Sequence, residues 1–162
     1  MITQFIRADF PAVKAIYQEG IDTGNATFQS RAKDWADWDA SMMPNCRLVA
    51  KNHGNVLGWA ALSGVSNRCI YAGVAEVSVY ISQSAQGQGI GSKLLNQLIL
   101  CSEKEGIWTL QAGIFPENNG SIALHKKCGF KTLGTREKIG QMHGVWRDTI
   151  LMERRSTIVG LE

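Results

Sequence analysis

Three glycines at alternate positions, in the run Gln86-Gly87-Gln88-Gly89-Ile90-Gly91, stand immediately before the longest helical pattern of the chain. Glycine lets the main chain curl tightly and lets a ligand approach without a side chain in the way. At a helix start the first N–H groups lack intrahelical partners, and the helix dipole adds about half a positive charge there. Such a segment can cradle a phosphate or a diphosphate; read alone, it can also be a tight turn that only packs. Two known phosphate loops fit it poorly. A Walker loop needs Gly-Lys followed by Ser or Thr, whereas the order here is Gly91-Ser92-Lys93. A dinucleotide loop needs GxGxxG on the first βα unit, whereas this GxGxG lies in mid-chain.

Arg68 and Tyr71 form a second constellation, since an arginine pairs in bidentate fashion with a carboxylate or phosphinate. The alternative is a solvated loop arginine beside a packed tyrosine. His53 and His143 fall in turns and are expected to be exposed. The cysteines, Cys46, Cys69, Cys101 and Cys128, form no CxxC, and no histidine stands at zinc-finger spacing from them. Four reduced, mostly buried thiols and no metal site are therefore expected.

The elements that must hold these groups alternate between strand and helix. Ile2 to Arg7 reads as a short strand. Asp9 can cap a helix that takes Pro11 in its first turn and carries Val13, Ile16 and Tyr17 on one face. A loop over Gly20 to Ser30 and a short helix near Asp34 to Ala40 follow. Arg47 to Lys51 and Val56 to Leu62 read as a hairpin across His53-Gly54-Asn55. From Glu76 the pattern alternates strictly: Val77, Val79 and Ile81 on one face, Glu76, Ser78 and Tyr80 on the other. Ile90 to Glu105 is a helix with Leu94, Leu95, Leu98 and Ile99 in a stripe. Thr109 to Ile114 is a buried strand, and Asn118 to Cys128 a helix closed by Gly129-Phe130. Strands near Lys131 to Ile139 and Val145 to Arg154 finish the chain, with Arg154-Arg155 expected to be a solvated end. The reading is α/β or α+β, with a central mixed sheet.

At 162 residues one domain, spanning residues 1–162, is expected. The net charge of +3 suits an anionic ligand such as a phosphorylated cofactor. No run of Lys and Arg is interleaved with aromatics, so nucleic acid is not an expected partner. No apolar run approaches the roughly 18 residues that span a bilayer, so no membrane partner is expected. The N-terminal MITQFIRADF lacks the basic and apolar regions of a signal peptide, which makes the cytoplasm the default location.

The spacing Gln86-x-x-Gly89-x-Gly91, the strand before it, the helix after it, and the downstream Asn118, Ser121, Leu124-His125 and Gly129-Phe130 resemble the GNAT superfamily of N-acetyltransferases. The likeness is closer still to its phosphinothricin and methionine sulfoximine acetyltransferase branch. Gly24-Asn25-Ala26-Thr27-Phe28, Arg68 with Tyr71, Ala75-Glu76-Val77-Ser78-Val79-Tyr80-Ile81 and Gly144-Val145-Trp146-Arg147-Asp148 carry it over nearly the whole chain. One departure touches the substrate side: where relatives often carry RPAY, this chain has Arg68-Cys69-Ile70-Tyr71.

The resemblance implies a GNAT fold, with a mixed, mostly antiparallel sheet of about seven strands flanked by about four helices. It implies acetyl-CoA as cosubstrate, held by Val79, Tyr80 and Ile81, by Gln86, Gly87, Gln88, Gly89, Ile90, Gly91 and Ser92, and by Asn118 and Ser121. It further implies a small amino-acid-like amine as the other substrate, between Phe28, Arg68, Tyr71, Glu76 and Trp146, and a homodimer as the common assembly. In that chemistry a main-chain N–H near Val79 would face the developing oxyanion. Glu76 would accept the amine proton or, alternatively, only orient substrate. His125, where the family often has a tyrosine, would protonate the thiolate or only pack. A protein or peptide acetyltransferase and a non-catalytic CoA sensor are the competing readings.

Overall fold

The computed structural model covers residues 1–162. It contains four α-helices, α1 (Phe10–Asp22), α2 (Trp35–Ser41), α3 (Ile90–Lys104) and α4 (Asn119–Lys127). Its strands are β1 (Ile2–Gln4), β2 (Leu48–Asn52), β3 (Asn55–Gly64), β4 (Val74–Ile81), β5 (Thr109–Ile114), β6 (Lys131–Met142) and β7 (Val145–Arg155). They form one seven-stranded sheet in the order β1-β2-β3-β4-β5-β7-β6. Every neighbouring pair is antiparallel except β4 and β5. The mixed, mostly antiparallel architecture expected from the sequence is the one found.

Side-chain alternation splits the interior into two cores. The apolar stripe of α3 sets Leu94, Leu95 and Leu98 fully inside, against Ala75 and Val77 of β4, Leu110 and Ala112 of β5 and Met152 of β7. Each such leucine contributes roughly 1.5–3 kcal/mol by leaving water. On the opposite face Val13, Ile16 and Tyr17 of α1 and Trp38 of α2 cover Val49, Trp59 and Ala61. No residue of β5, β6 or β7 joins that second cluster. The sheet face carrying Glu76 is therefore roofed by helices only as far as β4.

The one parallel junction is short: β4 and β5 pair only through Val74–Thr109, Ala75–Leu110 and Glu76–Gln111. Past Glu76, β4 keeps its partner β3 as far as Ile81, while β5 follows β7. The sheet forks at Glu76, and the fork is the structural origin of the site.

Three expectations are corrected by long-range contacts. Asp9 precedes α1 but does not cap it; its carboxylate accepts from the Ile6 amide and pairs with Lys51 at 2.8 Å, tying the entry of α1 to β2. Arg154 is not a solvated end, because it pairs with the buried Glu103 of α3 at 2.9 Å. Cys46 and Cys101 are not free thiols: they form a disulfide between the start of β2 and the end of α3, with Cα atoms 5.6 Å apart. Closing a loop of 55 residues removes chain entropy worth about 4 kcal/mol. Cys69 and Cys128 remain free, the first exposed and the second buried. No helix is long and apolar enough to cross a membrane.

Candidate active site

The fork between β4 and β5 opens into a groove of about 1100 Å³. Its polarity follows from strand geometry. The Ser82 amide donates to the Leu57 carbonyl at 2.8 Å, on the β3 side. Main-chain groups alternate along a strand, so Ser78 and Tyr80 turn theirs to β3, and Val77, Val79 and Ile81 turn theirs toward β5. Because β5 has already parted, the Val79 and Ile81 amides face the groove without a strand partner. The Ile81 carbonyl on that side is covered by the Gln86 side chain, whose amide nitrogen donates to it at 3.1 Å. Tyr80 contributes differently: its ring stacks on Trp59, with centroids 5.0 Å apart, and touches Tyr17. Burial pushes its phenol well above the usual range, so it is a neutral hydroxyl beside Thr27.

At one end of the groove, Gly87 and Gly89 both adopt φ +75°, a backbone that other residues reach only with strain. Gly89 is the N-cap of α3 and offers no side-chain acceptor, and the first turn carries no acidic residue. The first intrahelical bond runs from the Lys93 amide to the Gly89 carbonyl. The Ile90, Gly91 and Ser92 amides are thereby left facing out of the helix. The Ile90 side chain is buried in the core and anchors that turn. A Cβ on Gly91 would come within 3.1 Å of Leu124, so the glycine also lets α4 approach α3. These amides, with an unneutralised dipole behind them, fit a diphosphate. Gln88 does not line the groove.

The other end is closed by the loop of residues 23–28, pinned from three sides. Arg147 donates to the Gly24 carbonyl, to Asn25 Oδ1 at 2.8 Å and to Glu117 Oε2 at 3.2 Å. Its guanidinium also lies 3.8 Å from the Phe115 ring centroid. Asn118 donates to the Asn25 carbonyl at 3.1 Å while its Oδ1 caps α4 through the Ser121 amide. Phe28 meets Phe115 edge-on and presses on Gly140. Glu76 sits at the fork itself, half-buried, with Gln111 donating to its Oε1 at 3.4 Å.

The structure thus brings together Glu76, Val79, Tyr80, Ile81, the amides of the glycine loop, Asn118, Ser121, His125 and Phe28. It does not bring in three residues expected at the substrate. Arg68 and Tyr71 lie exposed in the β3–β4 loop, the guanidinium over the phenol ring at 5.6 Å, and Trp146 is 57% exposed at the start of β7. None of them lines the groove. Arg136 of β6 and Thr149 of β7 do, as a cross-strand pair, and neither could be read from local sequence, since their place depends on how β7 pairs with β5 and β6.

His125 is 4% exposed, and its Nδ1 lies 2.7 Å from the Ser121 carbonyl. A carbonyl only accepts, so Nδ1 carries the proton and Nε2 is the bare nitrogen. Burial holds the imidazole below its ordinary value of 6.5, and the bond to Ser121 offsets this in part. At neutral pH the ring is neutral with its single N–H committed, an arrangement that does not favour proton donation to a thiolate. The unfolded chain takes up this proton near pH 6.5 and the folded chain only at lower pH. Stability present above pH 6.5 is therefore lost as the pH falls through that window, by up to about 1.4 kcal/mol per pH unit. His125→Asn, which has no titration, is expected to be less stable than the parent at pH 7.5, with the gap narrowing toward pH 5; urea unfolding across that range measures it.

The chain matches the Acetyltransferase (GNAT) family over residues 11–130. It is 37% identical over 157 residues to the phosphinothricin N-acetyltransferase of Alcaligenes faecalis, covering 90% of this chain and 77% of that one. Among solved structures, a ribosomal-protein-alanine N-acetyltransferase from Brucella melitensis superposes with TM-score 0.86 at 32% identity, over 96% of this chain and 99% of the other. A GNAT superfamily phosphinothricin acetyltransferase from Sinorhizobium meliloti, in complex with AcCoA, superposes with TM-score 0.87 at 29% identity, over 100% and 91%. The forked sheet, the glycine loop at the head of α3 and the extent of these matches agree: the chain is an acyltransferase and belongs to the acetyltransferase (GNAT) family.

Proposed function

We propose that the enzyme acetylates the primary amine of a small amino-acid-like molecule, such as phosphinothricin, methionine sulfoximine or a related glutamate analogue like arsinothricin, by direct attack in a ternary complex. Acetyl-CoA is the cosubstrate and supplies the activated acetyl thioester. The observation that carries the reading is the fork at Glu76, which sets a carboxylate without an ion-pair partner beside unpaired strand amides, between a diphosphate cradle and a pocket closed by Phe28.

Roles follow from position. The Ile90, Gly91 and Ser92 amides hold the diphosphate, and the Ile81 amide, in the same groove lining, is free for the arm that follows it. The Val79 amide serves the carbonyl oxygen as it gains charge; a donor aimed this way contributes about 2.7–4 kcal/mol. Glu76 takes the amine proton, directly or through a water. Holding both reactants in attack geometry accounts for roughly a further 7–11 kcal/mol of the barrier. The thiolate leaves without an acid, since His125 is neutral and committed to Ser121.

The likeness to the Brucella melitensis protein supports a second reading, acetylation of a peptide N-terminus. The loop of residues 23–28 argues against it, because Arg147 and Asn118 pin it across the groove end where a polypeptide would have to leave. Release of the CoA thiol, followed with phosphinothricin, methionine sulfoximine, free amino acids and a peptide starting with alanine, separates the two. Turnover of the amino-acid analogues is expected; turnover of the peptide alone would overturn the proposal. On the same reading, a homodimer is supported by the exposed Leu133, Val145 and Trp146 of the β6–β7 hairpin.

A further inference from the structure

We infer that Arg147 is a positioning residue that latches residues 23–28 across the groove end and so sets how large an amine the enzyme admits. The inference rests on the amino-acid reading of the groove. Residues 23–28 belong to no helix or strand. Bonds within the segment only shape it: Thr23 Oγ1 donates to the Gly20 carbonyl at 2.6 Å and accepts from the Asn25 amide at 3.1 Å. Gly24 turns the chain at φ +76°, and no atom stands within 4 Å of where its Cβ would be. The placement of the segment over the groove therefore comes from partners far along the chain.

One cross-strand pair supplies two of those partners. Gly140 of β6 lies opposite Arg147 of β7, on the same sheet face. A Cβ on Gly140 would stand 2.9 Å from the Phe28 ring, so the missing side chain is the seat of the far end of the segment. Arg147 grips the near end through the Gly24 carbonyl and Asn25 Oδ1. Ile150 and Met152 pack into the α3 core, so Thr149, and Arg147 two residues before it, belong to the opposite face. No helix roofs that face beyond β4, and the latched segment is its cover.

The guanidinium also spans the two walls of the groove end. Gly24 and Asn25 stand on one side; the Phe115 ring, 3.8 Å away, and the Glu117 carboxylate, at 3.2 Å, stand on the other. A planar fork with five donors can serve partners in several directions at once, and at 16% side-chain exposure little water competes for them. Asn118 reinforces the same point by donating to the Asn25 carbonyl, and Thr27 meets the Tyr80 phenol. Cutting the Arg147 tie therefore lowers the population of the closed segment without abolishing it. A small acceptor, which needs Phe28 over it, loses affinity in proportion to that population. A peptide, which must run out past residues 23–28, does not.

Steady-state kinetics of Arg147→Gln, of Asn25→Ala and of the double variant test the latch, with calorimetric titration of acetyl-CoA as the check on the fold. Arg147→Gln is expected to raise KM for phosphinothricin and methionine sulfoximine by roughly tenfold to a hundredfold, with kcat little changed and the acetyl-CoA Kd unchanged. A peptide starting with alanine, followed as substrate or as competitive inhibitor against phosphinothricin, should hold or gain affinity. A merely structural lesion would weaken peptide, small acceptor and cofactor alike, and that result overturns the latch. Asn25→Ala cuts the same tie from outside every helix and strand; it should raise KM in the same direction, and adding it to Arg147→Gln should cost little more. Losses that multiply in the double variant, or an unchanged KM in both single variants, overturn the latch alone. So does full recovery of KM when Glu117→Gln is added to Arg147→Gln, which would make neutralising Glu117 the whole role of Arg147. A parent enzyme that turns over only peptides overturns the amino-acid reading and the latch together.

Discussion

Glu76→Gln is expected to lower kcat by about two to four orders of magnitude while leaving the affinity for acetyl-CoA unchanged. The substitution keeps the shape of the side chain and an oxygen for Gln111 to donate to, so β4 and its register with β3 have no reason to move. What disappears is the carboxylate at the fork, and with it the acceptor proposed for the amine proton. The pH dependence separates this role from simple orientation. If Glu76 removes the proton, raising the pH supplies more free amine and the gap between variant and parent narrows between pH 7 and pH 10. If it only positions the ammonium, the variant shows a raised KM and a gap that does not close. Profiles of kcat and kcat/KM against pH, measured with phosphinothricin, decide between them.

The parts of the fold that the sequence made legible are those set by local periodicity. The α3 stripe, the alternation from Glu76 and the turn at residues 53–55 each repeat a short pattern whose physical cause lies within a few residues. The cradle was legible for the same reason, since alternate glycines ahead of a helix determine their own backbone. The unread features depend on partners far along the chain. Arg136 lines the groove through its pairing with Thr149, beside a point where three residues of β6 oppose one of β7, and nothing in Thr135-Arg136-Glu137-Lys138 announces that. Cys46 and Cys101 meet because α3 crosses β2, at a separation of 55 residues. Arg68 carries the right chemistry for an anion, yet its loop leaves it outside. The sequence left His125 between a proton donor and a packing residue, because which nitrogen holds the hydrogen depends on the Ser121 carbonyl one turn earlier in α4.

Ser92→Asp is expected to raise the stability of the free protein and to weaken acetyl-CoA binding by roughly thirtyfold to a thousandfold. The two effects share one cause. Ser92 is the third residue of α3, half-buried at the edge of the groove, and the first turn of that helix holds no acidic residue. A carboxylate there meets the positive end of the dipole and the outward amides, which favours the folded state by about 0.3–1 kcal/mol. Side chains of a helix lean toward its N-terminus, so the same carboxylate reaches over the cradle that the diphosphate must enter. Like charges about 5 Å apart near a protein surface repel by roughly 3 kcal/mol at an effective dielectric constant of ~20, which is the origin of the fold-loss above. A substitution that merely damaged the helix would lower both quantities, and one at a turn without a ligand would change stability alone. Opposite signs, read as a higher urea midpoint together with a weaker calorimetric Kd for CoA, are expected only if the head of α3 is where the diphosphate sits. The contrast should fade in high salt, because screening shortens the reach of the repulsion, whereas Ser92→Ala should move neither quantity by more than a few tenths of a kcal/mol.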